Sequence, residues 1–99
     1  MSQHYVDLAW QAPTTGTPPT SYKVFRGTAA GQENATPIAS GVTGTTYRDE
    51  DPGLVEGQDY FYYVKAEANN LDSVPSNEAN AVIPFVAPNA PTNLTATAS

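Results

Sequence analysis

The sequence predicts an all-β protein built as a sandwich or barrel, and three observations lead there. Apolar and polar residues alternate with period two over several short segments. The residues in those segments are types that suit a pleated, half-buried surface: six tyrosines in all, with valine, isoleucine and threonine. Turn-forming residues recur about every 8–12 positions. The longest run of helix formers without Pro or Gly, 58–73, alternates at period two over its front half, so it does not read as a helix.

Taken in order, the first strand is Tyr5–Trp10, with Val6, Leu8 and Trp10 facing inward and Tyr5, Asp7 and Ala9 outward. Gln11–Thr20 (QAPTTGTPPT) is loop, because its prolines and glycine cannot maintain a ladder. In the second strand Tyr22, Val24 and Arg26 share a face, with Lys23 and Phe25 opposite. Gly27–Gly31 turns the chain into a weak edge strand at Glu33–Ile38, where Pro37 is tolerated. Thr45–Arg48 carries Tyr47 inward and stops at Asp51-Pro52-Gly53. Asp59–Ala68 is the clearest strand, with Tyr60, Tyr62, Val64 and Ala66 inward. Asn69–Asp72 turns, and Asn77–Ile83 places Ala79, Ala81 and Ile83 on one side. A tail containing Pro88, Pro91 and the stretch TNLTATAS follows these six strands.

Composition excludes whole classes of function. The 99 residues make one domain with one core. Four Lys+Arg against ten Asp+Glu give a net charge of −6, which opposes sequence-independent binding to nucleic acid or anionic lipid. No apolar run approaches the ~20 residues of a bilayer span, and the first residues lack the basic and apolar regions of a signal peptide. Zero cysteines leave no disulfide, Cys-based zinc site or thiol nucleophile, and His4 is the single histidine, expected to be exposed. With no nucleophile–base pair, metal constellation or phosphate loop, neither an enzyme nor a cofactor is expected.

The order of these segments resembles the fibronectin type III domain over nearly the whole chain. VDLAWQAP is similar to that family's second strand with its core tryptophan, here Trp10, and SYKVFR to its third, with Tyr22 and Val24 buried. GVTGTTYRD followed by Leu54, Gly57 and Tyr60 resembles the stretch that ends in the tyrosine corner, and PSNEANA the start of the last strand. The resemblance implies an immunoglobulin-like two-sheet sandwich with Trp10, Tyr22, Val24, Tyr47, Leu54, Tyr60, Tyr62 and Val64 in its core. It implies a Tyr60 hydroxyl bonded to nearby backbone. The wording is most like modules of secreted or surface bacterial multidomain proteins, hence an extracellular or cell-surface location.

One departure stands out. The family's first strand, of the form proline–small–Leu–x–Ala, should precede the tryptophan strand, where this chain has only Met1–Gln3. That pattern appears instead at 90–98 (APTNLTATA), with Leu94 and Ala96 inward. The expected organisation is therefore a domain over 1–86 with its first strand displaced, followed by a linker and first-strand-like segment over 87–99. Returning to its own domain requires covering roughly 25–30 Å, while Ala87–Pro91 reaches only ~17 Å. Donation of 90–98 to a neighbouring copy needs no such stretch, and the partners expected first are other copies or adjacent domains. The alternatives are a return made by fraying the last strand after Val82, or a tail that folds back beside that strand or stays disordered.

Two surface features are weighed beside this. Phe25, Phe61 and Tyr63 should point outward near Lys23 and Lys65, a platform for a polysaccharide or protein partner, or simple cross-strand pairing. Asp49, Glu50 and Asp51 form the single acidic run, read as a solvated turn because it lacks the spacing of a calcium loop. The reading that results is a non-catalytic spacer module able to associate head to tail, with ligand binding through the aromatic face as the alternative.

Overall fold

The computed structural model describes residues 4–85, 87, 88 and 90–99, so the expectations at Met1–Gln3, Val86 and Asn89 fall outside the described residues. Seven strands occur in order: β1 Val6–Ala9, β2 Ser21–Gly27, β3 Ala39–Val42, β4 Thr46–Asp49, β5 Asp59–Ala68, β6 Leu71–Asp72 and β7 Ala79–Val82. No helix forms among the described residues. β1 and β4 make a two-stranded antiparallel sheet; β3, β2, β5 and β6 make the larger one, with β7 also paired to β5.

The alternating inward residues of the two sheets meet in one core. Val6, Val24, Tyr60, Tyr62 and Ile83 are buried, and Leu8, Trp10, Ile38, Tyr47, Leu54 and Val64 pack against them. The pairing Val6↔Asp49 and the bond from Gly57 N–H to Ile83 O (2.8 Å) place β1's start and β7's end at one pole. His4 approaches Glu56 at 3.9 Å there, so it is half-buried instead of exposed. Trp10, bonded from its N–H to Thr45 O and packed edge-on to Tyr22 at 5.4 Å, marks the opposite pole.

Three elements differ from expectation, each for a local reason. The edge strand is not Glu33–Ile38; it begins at Ala39. Thr36 N–H donates to Asn34 Oδ1, bending 34–36 into a side-chain-closed turn, and Pro37 has no N–H to give. The register then slips between Tyr22↔Val42 and Val24↔Ala39, with Gly41 at φ 66° supplying the bulge. Asn69 and Asn70 alone form the next turn, both at positive φ (54° and 63°), as a two-residue hairpin requires. Leu71 and Asp72 are therefore not turn but a short strand against Ala68 and Glu67.

The last strand is split where Pro75 interrupts it. Val64 and Ala66 would lose ladder acceptors at this bulge, and the hydroxyls of Ser76 and Ser73 accept their N–H groups at 2.9 Å each. Those serines in turn donate their own N–H groups to Val64 O and Ala66 O. Val74 is left standing out of the sheet, 84% exposed.

Candidate functional site

Two places on this frame combine exposure with defined chemistry: the outer edge of β1 and the outer face of the larger sheet.

β1 pairs with β4 along one edge only. Its other edge has no strand partner among the described residues, so a row of backbone donors and acceptors is available. Between that edge and β5/β7 lies a cleft of about 400 Å³, lined by Leu8, Trp10, Tyr62, Val64, Asn77 and Ala79 among others. The lining residues carry no formal charge in a chain of −6. The core is correspondingly thin on this side: Leu8, Trp10, Val64 and Ala66 are half-buried, whereas Ile83 at the far pole is 1% exposed.

The segment expected to supply a first strand is not in the cleft. Residues 90–99 form no strand and are exposed, Leu94 by 95%. The molecule measures 81 × 24 × 20 Å, whereas the longest strand, ten residues, spans only about 33 Å; the tail points away from the sandwich. At the exit the Phe85 ring lies on Gly57, where a Cβ would overlap it. Gly57 also adopts φ 82°, so the turn requires glycine, whereas the exposed Phe85 ring can swing aside.

The aromatic platform needs correction. Phe25, Phe61 and Tyr63 do share the outer face, with Phe25 opposite Tyr63 in register and their rings 5.0 Å apart. Phe25, however, is 4% exposed and unavailable as a platform, and Phe61 and Tyr63 are half-buried. The loop after β2 folds back over this region. Asn34 N–H donates to Arg26 O, Gly31 N–H reaches Glu78 Oε2 at 2.8 Å, and Gln58 Nε2 donates to Thr28 O. Its backbone passes so near Gly27 that a Cβ there would meet Gln32 O. Lys65 Nζ sits 5.2 Å from the Phe25 ring centroid and 5.9 Å from that of Tyr63. Burial raises the Glu33 carboxyl above the usual range, and a proton shared with Glu78 raises it further.

The acidic run also departs from the sequence reading. Asp49 is not in a solvated turn; it is 2% exposed, on the inner face with Tyr47. Its Oδ2 accepts from Tyr62 Oη at 2.7 Å and from Arg26 Nη1 at 2.8 Å, while Arg26 Nη2 donates to Asp51 Oδ2 at 2.9 Å. Burial works against the Arg26 charge, yet the bonds to Asp49 and Asp51 outweigh it and hold the guanidinium firmly protonated. Burial, then the Asp49 bond, pushes the Tyr62 phenol well above its usual value. This network consists of mutually satisfied groups and presents no free acid, base or nucleophile. Alternation carried a signal for it: Arg26 lies in phase with Tyr22 and Val24, and Asp49 in phase with Tyr47.

The other core residues lie as follows. Tyr22, Val24, Tyr60 and Tyr62 are buried; Trp10, Tyr47, Leu54 and Val64 are half-buried. Tyr60 Oη accepts from Val55 N–H at 2.9 Å, the backbone bond of a tyrosine corner. Among the described residues no group of three or more His, Cys, Asp or Glu converges as metal ligands, and no helix is long and apolar enough to cross a membrane.

Comparison with solved structures finds two informative likenesses. A Fn3-like protein from Clostridium thermocellum superposes with a TM-score of 0.64 at 34% identity, covering 77% of this chain and 73% of that one. The twitchin kinase region from C. elegans gives a TM-score of 0.68 at 28% identity over 85% of this chain, and this chain spans 15% of that much longer one. No protein-family model and no curated protein matches the sequence.

Proposed function

The chain belongs to the fibronectin type III family, and from that premise we propose that it is a non-catalytic structural module of an extracellular bacterial multidomain protein. In this reading modules join head to tail, the 90–98 segment of one completing the β1 edge of the next. The observation that carries the reading is the unpaired β1 edge above an uncharged cleft, together with an exposed, uncharged segment of strand-like alternation. Laid antiparallel to β1, the segment would extend the two-stranded sheet to three and turn Leu94 and Ala96 into the cleft. Burying Leu94 contributes about 1.5–3 kcal/mol. The adjacent domains usual for this family make such end-to-end contact natural, and the Clostridium relative favours a bacterial setting.

The test is the solution mass of the 99-residue chain across concentration, beside Leu94→Asp. Leu94 is exposed in the free chain, so the substitution leaves the fold intact while putting a charge where the cleft has none. Mass rising with concentration for the unaltered chain and constant for Leu94→Asp is the expected result. A monomer throughout, or equal assembly by both, would refute strand donation.

The alternative, a polysaccharide- or protein-binding module using Phe25, Phe61 and Tyr63, is weaker, because Phe25 is buried and Phe61 and Tyr63 are half-buried. Glycan binding that Tyr63→Ala abolishes in a folded protein would restore it.

A further inference from the structure

The cleft beside β1 does not stop where β1 stops. Past Trp10 it continues into a second, more apolar hollow of about 280 Å³ at the pole far from Gly57, walled by Trp10, Pro13, Tyr22, Val64, Ala66 and Val74. Trp10 borders both spaces. Its indole Nε1 is buried and has no hydrogen-bond acceptor, an exception to the rule that buried polar groups are paired. Whatever fills the hollow should therefore be apolar, and Trp10 offers it an unpaired indole N–H once the ring turns toward the occupant.

The tail contains a stretch with those properties. Residues 92–99 lack proline, so each can donate to a ladder, whereas Pro88 and Pro91 cannot. A ladder on β1 must end near Thr92, and the residues before it continue in an extended conformation with their carbonyls unpaired. With Leu94 opposite Leu8, antiparallel pairing sets Thr92 opposite Trp10 and carries Pro91 and Ala90 just past it, over the hollow. Neither that stretch nor the wall of the hollow carries a charge.

We infer that the hollow is a binding site for the proline-bearing stretch 88–91 of a second copy, one of whose carbonyl oxygens accepts the Trp10 indole N–H. Trp10 thereby sets the register of the incoming strand. The inference rests on the head-to-tail reading above, and it adds a site that pairing with β1 alone does not require.

The test uses the full-length chain, ¹⁵N-labelled and carrying Leu94→Asp so that its own tail does not compete. Trp10 is the single tryptophan, so one indole resonance reports the site. Unlabelled peptide 87–99 should shift the β1 amides and also move the indole N–H resonance and slow its exchange with water. The same peptide with Pro88→Ala and Pro91→Ala should still shift the β1 amides, bind roughly five- to tenfold more weakly, and lose much of the indole effect. Shifted β1 amides with an unmoved indole, or equal binding by the two peptides, would overturn this inference and leave strand donation standing. No shift anywhere would remove both. In the unaltered chain the indole resonance should move toward its peptide-bound position as concentration rises; the bound position at every concentration would put the chain's own tail in the hollow and overturn assignment to a second copy.

Discussion

Replacing Asp49 with alanine tests whether the inner-face carboxylate organises the core. Asp49 is 2% exposed and accepts from the hydroxyl of Tyr62, itself 2% exposed, at 2.7 Å. Without it that hydroxyl is buried and unpaired, which costs about 1–3 kcal/mol. Arg26 loses its 2.8 Å partner but keeps Asp51 at 2.9 Å, and its side chain is 21% exposed, so water relieves part of the loss. The sum falls toward the lower end of the range for breaking a buried ion pair, about 3–4 kcal/mol. For a domain of this size that lowers Tm on the order of 15–30 °C. Urea unfolding should show the midpoint falling with an unchanged slope. Tyr62→Phe gives the internal control. It should cost about 1.5–3 kcal/mol in the native background, where a bond to a charged group is lost, and should cost nothing in Asp49→Ala, where it removes the unpaired hydroxyl and recovers part of the loss. Asp49→Ala costing under about 1 kcal/mol, or a Tyr62→Phe cost equal in both backgrounds, would refute the reasoning.

Four further outcomes follow from the same geometry. Gly57→Ala should lower stability by about 1–2 kcal/mol because the residue sits at positive φ; denaturant melts should show that adding Phe85→Ala does not restore it, separating backbone strain from ring overlap. Tyr60→Phe removes the acceptor for Val55 N–H and should cost about 0.5–1.5 kcal/mol, read from thermal unfolding, with Val55 amide exchange accelerated. The Gly53 N–H, then Arg26, hold the Asp51 carboxyl below its ordinary 3.8, so its contribution is present above that value and is lost as pH falls through the folded-state value. Glu33 is raised above its ordinary 4.5, so its contribution is complete below that pH and disappears as pH rises through the folded value; Glu33→Gln should flatten this limb of a stability–pH curve.

The strands that alternate cleanly were legible in the sequence, because a half-buried strand writes its inner face at every second position. The Asp59–Ala68 strand is found at its expected bounds and with its expected face. The edge strand was not, since its position depends on an asparagine side chain closing a turn and on a proline removing a donor, both local events that override propensity. Asp49 was hidden by its neighbours: Glu50 and Asp51 make the run look solvated, although period two from Tyr47 points Asp49 inward toward Arg26. Phe25 illustrates the converse. Its outward direction follows from alternation, but its burial follows from Tyr63 on the paired strand and from the loop after β2 folding back over that face, and no pattern within a single strand reports that. The unpaired edge was legible from segment order, whereas the hollow beyond Trp10 was not, because it is made by Val74 standing out at the Pro75 interruption.

The chain leaves the sandwich at the pole of Gly57, while a strand entering beside β1 must start at the pole of Trp10. An assembly built this way has direction. One terminus would always present an empty cleft and the other a loose tail, so growth at the two termini would be chemically distinct, and a copy defective in its tail would stop elongation at one terminus while leaving the other able to grow. A small fraction of Leu94→Asp chains mixed with unaltered ones would then shorten assemblies out of proportion to its abundance, as a one-ended stopper does.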